Sequence, residues 1–233
     1  MHVDLLVSNK KFYTEEGYAA KNTSHSLQAL GISHRIIDLS VGVREAFFGC
    51  TPTLSISFNH LTYQLCQSFC AVMNIPHVCW SEGILMPQNK IFPFGVEKIN
   101  SASVKTREVI TFANVTDQLV NSMTGFSVSI FGEHEGQDVL LSLPSGVSLH
   151  GALPYIEHFE ILKQSKIVLL TATSQWYWPA VAAGCLPEEN PEKIAYYLSH
   201  PKQKEDELNR LAQELPHRTW LNQVRKLMQR YYV

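Results

Sequence analysis

The chain has 233 residues, 45% of them hydrophobic and 17% charged, with a formal net charge of -2 at pH 7. That length holds one large domain or two small ones around a buried core, and the near-neutral balance shows no basic excess, so no nucleic-acid partner is expected. Met1 leads directly into His2, Val3 and Asp4 with no signal-peptide pattern, and no apolar run approaches the roughly 20 residues that cross a bilayer, so the expectation is a cytoplasmic protein without a transmembrane segment.

Residues 3–7 (VDLLV) read as a short apolar strand, followed by a polar loop with Asn9, Lys10 and Tyr13 and a helix over about 15–30 that Gly31 stops. A second strand is expected at 32–39, a short helix at 44–48, and an alternating third strand at 53–58, ending at Asn59 and His60. An apolar-periodic helix follows over 61–73, with Leu61, Leu65, Phe69 and Val72 on one face, and Ile75-Pro76 opens a strand through Trp80. This alternation predicts a parallel sheet with helices on both faces.

Residues 81–105 break the pattern, with Pro87, Pro93 and Gly95 and few periodic apolar positions, and read as a crossing between domains. The domains are therefore expected at 1–90 and 106–233, with a linker at 91–105. A second alternation begins with a strand at 108–112, a short helix at 116–123 and a strand at 126–131. A glycine-rich turn at 132–136 follows, whose two acids would repel a phosphate, and then a weak strand at 139–143.

Residues 147–187 are the most informative stretch. An extended run at 147–150 meets a turn at Gly151 and Pro154, and 155–164 form an amphipathic helix with Glu157 and Glu160 in its first turns and Lys163 near its end. Residues 167–170 are a buried parallel strand whose carboxyl end opens into Thr171-Ala172-Thr173, the edge at which open α/β sheets bind ligands. The small-residue run PAVAAG at 179–184 is expected to form a helix whose amino end a phosphate can approach. Helices at 191–199, 205–214 and 219–231 close the chain, and the charged run 202–207 is a solvated helix start.

The five cysteines, Cys50, Cys66, Cys70, Cys79 and Cys185, contain no CxxC pair and read as reduced core thiols; the ten histidines are scattered without metal-ligand spacing, so no metal is expected. The loop after residue 7 lacks the tight glycine spacing of a dinucleotide-binding Rossmann turn.

Several segments, taken in order, resemble the GT-B glycosyltransferases, and among them the bacterial family that includes the spore maturation protein CgeB. They are PTLSISFN, IPHVCWSEG, FPFGVEK, HGALPYIEHFEILKQSKIVLL and HRTWLNQVRKLM. The resemblance implies two small Rossmann-type doubly wound α/β domains with a cleft between them, and transfer of a sugar from a nucleotide-sugar donor to an acceptor hydroxyl. It implies no cofactor beyond the donor, and a nucleotide sugar or nucleoside diphosphate as partner beside an unknown acceptor. Carried over position by position, the turn from His150 and Gly151 to Tyr155 would lie near the base or ribose. Ser165 and Lys166 would approach the donor strand, and the loop with Thr173, Ser174 and Trp176 would face the diphosphate. Asn9, Asn59 and His60 would face the cleft from the first domain, with His60 or Glu82 taking the acceptor proton. The chain departs from the family where Pro179 replaces a ribose-binding glutamate and where a strand and helix are expected to be missing after Pro187. These departures imply the alternative of a catalytically degenerate relative acting as a ligand-binding, regulatory or scaffold protein.

Overall fold

A computed structural model describes residues 1–8, 14–42, 51–82, 84–97, 99, 104–112, 125–132 and 143–231. The readings for Asn9, Lys10, Tyr13, the 44–48 helix, Cys50 and the 116–123 helix, and for most of the 132–136 turn and the 139–143 strand, lie outside these residues. The chain divides into two compact units, one of Met1–Val96 with His217–Val233 and one of Glu97–Pro216.

In the first unit β1 (His2–Val7), β2 (Ser33–Asp38), β3 (Leu54–Ser57), β4 (His77–Ser81), β5 (Ile84–Met86) and β6 (Lys90–Ile91) form one sheet in the order β2-β1-β3-β4-β5-β6. The first four strands run parallel, and β5 and β6 add antiparallel. Five of the six residues of β1 are buried, which is why it reads as a nearly continuous apolar run. The exception in character, Asp4, is fully buried and held by Arg35 opposite it on β2 through Nε at 2.8 Å and Nη2 at 3.0 Å.

Helix α1 (Glu15–Ala29) starts where Thr14 Oγ1 accepts the Gly17 amide, and α2 (His60–Val72) starts where Asn59 Oδ1 accepts the Thr62 amide at 2.7 Å. One sheet face carries Val3, Leu5, Leu54, Ile56, Phe58, Val78 and Trp80 into a core with α1 and the closing helix α7 (Trp220–Tyr231). The other face meets α2 through Leu6, Cys66 and Cys70.

Three expectations are corrected here. Residues 81–91 are not a crossing: β5 and β6 extend the first sheet, and cover for Trp80 comes from Phe92 and Phe94, with the indole N–H donating to the Phe92 carbonyl at 2.7 Å. The closing helix, assigned above to the second domain, packs on α1 and on Trp80 in the first unit. And of the expected α2 stripe only Phe69 packs, partly buried, on the core, while Leu61, Leu65 and Val72 are exposed at 63%, 54% and 85% and Thr62, Tyr63, Cys66 and Cys70 are buried.

In the second unit β7 (Arg107–Thr111), β8 (Val128–Phe131), β9 (Val147–His150), β10 (Ser165–Leu169) and β11 (Leu186–Glu188) form an all-parallel sheet in the order β11-β10-β7-β8-β9. Strand β11, a segment for which no strand was expected, pairs with β10 immediately after Cys185. One face packs Val109, Val128, Ile130 and Ile167 against α5 (Pro191–Ser199) and α6 (Pro201–Ala212) through Ile194 and Leu211. The other packs Ile110, Phe131 and Val168 against Leu162 of α3 (Glu157–Gln164) and Ala180 of α4 (Tyr177–Ala182). Helix α4 begins two residues earlier than expected, so Pro179 stands third in the first turn, where its missing N–H costs nothing.

Candidate functional site

At the carboxyl edge of the first sheet the chain leaves β1 through Ser8, β3 through Asn59 and β4 through Glu82. His60 and Glu82, the two residues expected to handle a proton, line one cavity of about 200 Å³ with Cys79, Ser81, Ile84 and Met86. His60 is the exposed first residue of α2, and its Nε2 lies 2.8 Å from the side-chain amide of Gln64 one turn on. The amide nitrogen of Gln64 can only donate, so Nε2 accepts from it. Glu82 has φ of +50° and donates its amide to Glu15 Oε1 at 3.3 Å. A non-glycine residue in the left-handed region is uncommon and occurs preferentially at functional turns.

Below this edge lies a residue that sequence reasoning missed. Glu16 is 7% exposed, and its carboxylate accepts the Ser8 amide at 2.9 Å, the Ser8 hydroxyl at 2.6 Å and the Thr62 hydroxyl at 3.0 Å. In the sequence it is one of two acids in a helix's first turn, a position usually explained by the dipole alone. The thiols of the same region are held protonated by burial, Cys66 up to about 12 and Cys70 and Cys79 up to about 11. Together with Cys185 they are free and buried, as the cysteine pattern implied.

In the second unit His150 ends β9, stacks on Phe131 at 4.5 Å and places Nε2 3.2 Å from Ser148 Oγ. Burial, and then the Arg107 guanidinium, push its pKa down. Gly151 follows, exposed and with open space where a Cβ would stand. Across the same edge, in the loop after β10, Thr171 and Thr173 join their hydroxyls at 3.0 Å, and Ser174 Oγ accepts the Trp176 amide at 3.2 Å.

The other donor-side candidates have different surroundings from those implied. Ser165 and Lys166 open β10 and so stand at the opposite, amino edge of the sheet. The Ser165 hydroxyl is fully buried and donates to the Ile161 carbonyl at 2.6 Å, while Lys166 pairs with Glu108 at 3.4 Å. Trp176 is buried and packed by His158 at 4.5 Å, Tyr155 at 4.7 Å, Phe159 at 5.3 Å and Phe112 at 5.6 Å. Its indole and the Tyr155 ring serve this core, so neither is an open platform for a base. Among the described residues no three His, Cys, Asp or Glu side chains come together to hold a metal ion, and no helix is long and apolar enough to cross a membrane.

Neither a protein-family model nor a curated sequence matches the chain. Solved structures do. A DNA-modifying β-glucosyltransferase, solved in the presence and absence of the substrate uridine diphosphoglucose, superposes with a TM-score of 0.64 at 12% identity, covering 100% of both chains. An α-glucosyltransferase in complex with UDP and a 13-mer DNA containing an HMU base gives 0.61 at 8% identity, again over 100% of both. The β-glucosyltransferase of T4 phage in complex with UDP and Mn2+ gives 0.54 at 12% identity over 100% of both. At such identities the likeness speaks to the fold, and the two parallel α/β units have the GT-B-like fold.

Proposed function

We propose that this protein is a glycosyltransferase that moves a sugar from a nucleotide-sugar donor to an acceptor hydroxyl. The observation that carries the reading is the cavity at the carboxyl edge of the first sheet, where the topology of a GT-B-like unit gathers His60 and Glu82. The acceptor oxygen attacks the anomeric carbon, the bond from that carbon to the diphosphate breaks, and the acceptor proton passes to the His60 imidazole or the Glu82 carboxylate. The loop from Thr171 to Ser174, at the carboxyl edge of the second sheet, would meet the leaving nucleoside diphosphate, with no metal required. His150 and Gly151 are proposed to border the nucleotide. The branch proposed within the fold is the CgeB-like one, on the HGALPY turn and the SKIVL strand, and the site of action the cytoplasm.

The charge division supports an anionic acceptor. The first unit holds ten Lys and Arg against six Asp and Glu, the second nine against fifteen. Helix α7 contributes Arg225, Lys226 and Arg230 to an outer face without an acid. Whole-chain charge hides this, and a hydroxyl-bearing DNA is a fitting member of the acceptor class because two solved neighbours are described with DNA.

The non-catalytic alternative keeps one specific support, the burial of Trp176 and Ser165 in the core of their own unit. The two readings separate by incubating the protein with labelled UDP-glucose and either HMU-containing DNA or small hydroxyl acceptors. Transfer by the wild type, reduced about 10²-fold or more in His60→Ala, supports the enzyme. Donor binding with no transfer to any acceptor supports the alternative.

A further inference from the structure

We infer that Glu16 is the positioning residue of the acceptor side, fixing the first turn of α2, and with it His60, against the end of β1. The inference rests on the transfer reading above for its consequence, though not for its geometry. Ser8 follows β1, Glu16 lies in the first turn of α1 and Thr62 in the first turn of α2, so one carboxylate joins three elements where they converge on the carboxyl edge.

A carboxylate leaves water only when its oxygens are satisfied, and Glu16 is satisfied by an amide and two hydroxyls, with the amino ends of α1 and α2 favouring the negative charge. Thr62 is fully buried, and its two donors are divided: the hydroxyl goes to Glu16 and the amide to Asn59 Oδ1. His60 stands between Asn59 and Thr62, on backbone anchored on both sides. The charge also lies near the cavity wall, since Glu16 adds to burial in keeping the Cys79 thiol protonated. A first-turn acid needed only for the helix dipole would remain in solvent, as Glu157 does at the start of α3.

The test uses Glu16→Gln and Thr62→Val, each in the wild-type and His60→Ala backgrounds. Transfer is measured at varied donor and acceptor concentrations, and the His60 imidazole resonance is followed by NMR on the protein without donor. In the wild-type background each variant is expected to lose about tenfold in kcat with donor KM unchanged; in the His60→Ala background the further loss is expected to stay under about twofold, because a residue acting through His60 cannot be lost twice. The His60 resonance should shift in Thr62→Val, a variant that keeps side-chain volume but takes one donor from the buried Glu16 carboxylate, so its fold is checked by its melting transition before the resonance is read. Equal losses in both backgrounds, or an unmoved His60 resonance in folded Thr62→Val, would overturn the proposal. The resonance is read without turnover, so it decides the role of Glu16 even where an absence of transfer has overturned the reading of function.

Discussion

His77 shows what partial burial does to one imidazole. Its ring lies 4.6 Å from Tyr63, its Nε2 is 2.8 Å from Ser57 Oγ, and burial pushes its pKa down to about 4. The folded state therefore keeps His77 neutral while the unfolded chain takes up a proton below about pH 6.5. The unfolded state binds more protons between those values, so the stability due to neutral His77 is complete above about pH 6.5 and lost as pH falls towards 4, by up to about 3 kcal/mol. Urea unfolding from pH 7 to 4.5 should show this decline, and His77→Gln should flatten it; an unchanged slope in the variant would assign the decline elsewhere. Legibility differs sharply among the site residues. His60 and Glu82 could be found because strand ends in an α/β alternation point to one edge. Ser165 and Trp176 could not be excluded from the sequence, because whether a hydroxyl or an indole is spent on its own core depends on packing that spacing does not encode. Glu16 escaped because burial of a first-turn acid has no sequence signature.

At the scale of elements, α2 is the instructive case. Its periodicity marks Leu61, Leu65, Phe69 and Val72 as one face, yet only Phe69 packs on the cluster of Leu6, Ile37, Cys66, Cys70 and Ile75, while Leu61, Leu65 and Val72 point to solvent. A helix pattern gives the direction of the moment, and the partner surface decides which side is covered. Leu65→Lys should accordingly change stability by less than about 0.5 kcal/mol, the range of an exposed substitution; a loss of about 2 kcal/mol in urea titration would mean that the stripe is covered. Gly95 is the opposite case, a residue whose identity is fixed by packing. A Cβ there would stand 2.2 Å from the Trp220 Cα, at the place where Val96 bridges to Thr219 and donates its amide to the Arg218 carbonyl. Gly95→Ala should cost about 2 kcal/mol or more, since backbone cannot yield as a side chain does. Strands β1 to β4 were readable from continuous or alternating apolar runs. Strands β5, β6 and β11 were not, being two or three residues long and interrupted by turn and proline signals.

For the whole molecule, the α/β class and two-unit division follow from the strand and helix alternation, while the assignment of the chain's end does not. Residues 217–233 return to the first unit because Trp220, Val224, Leu227 and Met228 complete the core around Trp80, a long-range pairing that no local pattern announces. The fold is that of solved glucosyltransferases, and the donor proposed for this chain is a nucleotide sugar. Thermal unfolding with a panel of nucleotide sugars and nucleoside diphosphates, each with and without Mn2+, reads donor binding without turnover. A donor at about 100 times its Kd should add roughly 2.7 kcal/mol, a rise in Tm of roughly 5–10 °C for a chain of this length, and should do so without the metal. A Tm unmoved by every member of the panel would contradict the proposed donor.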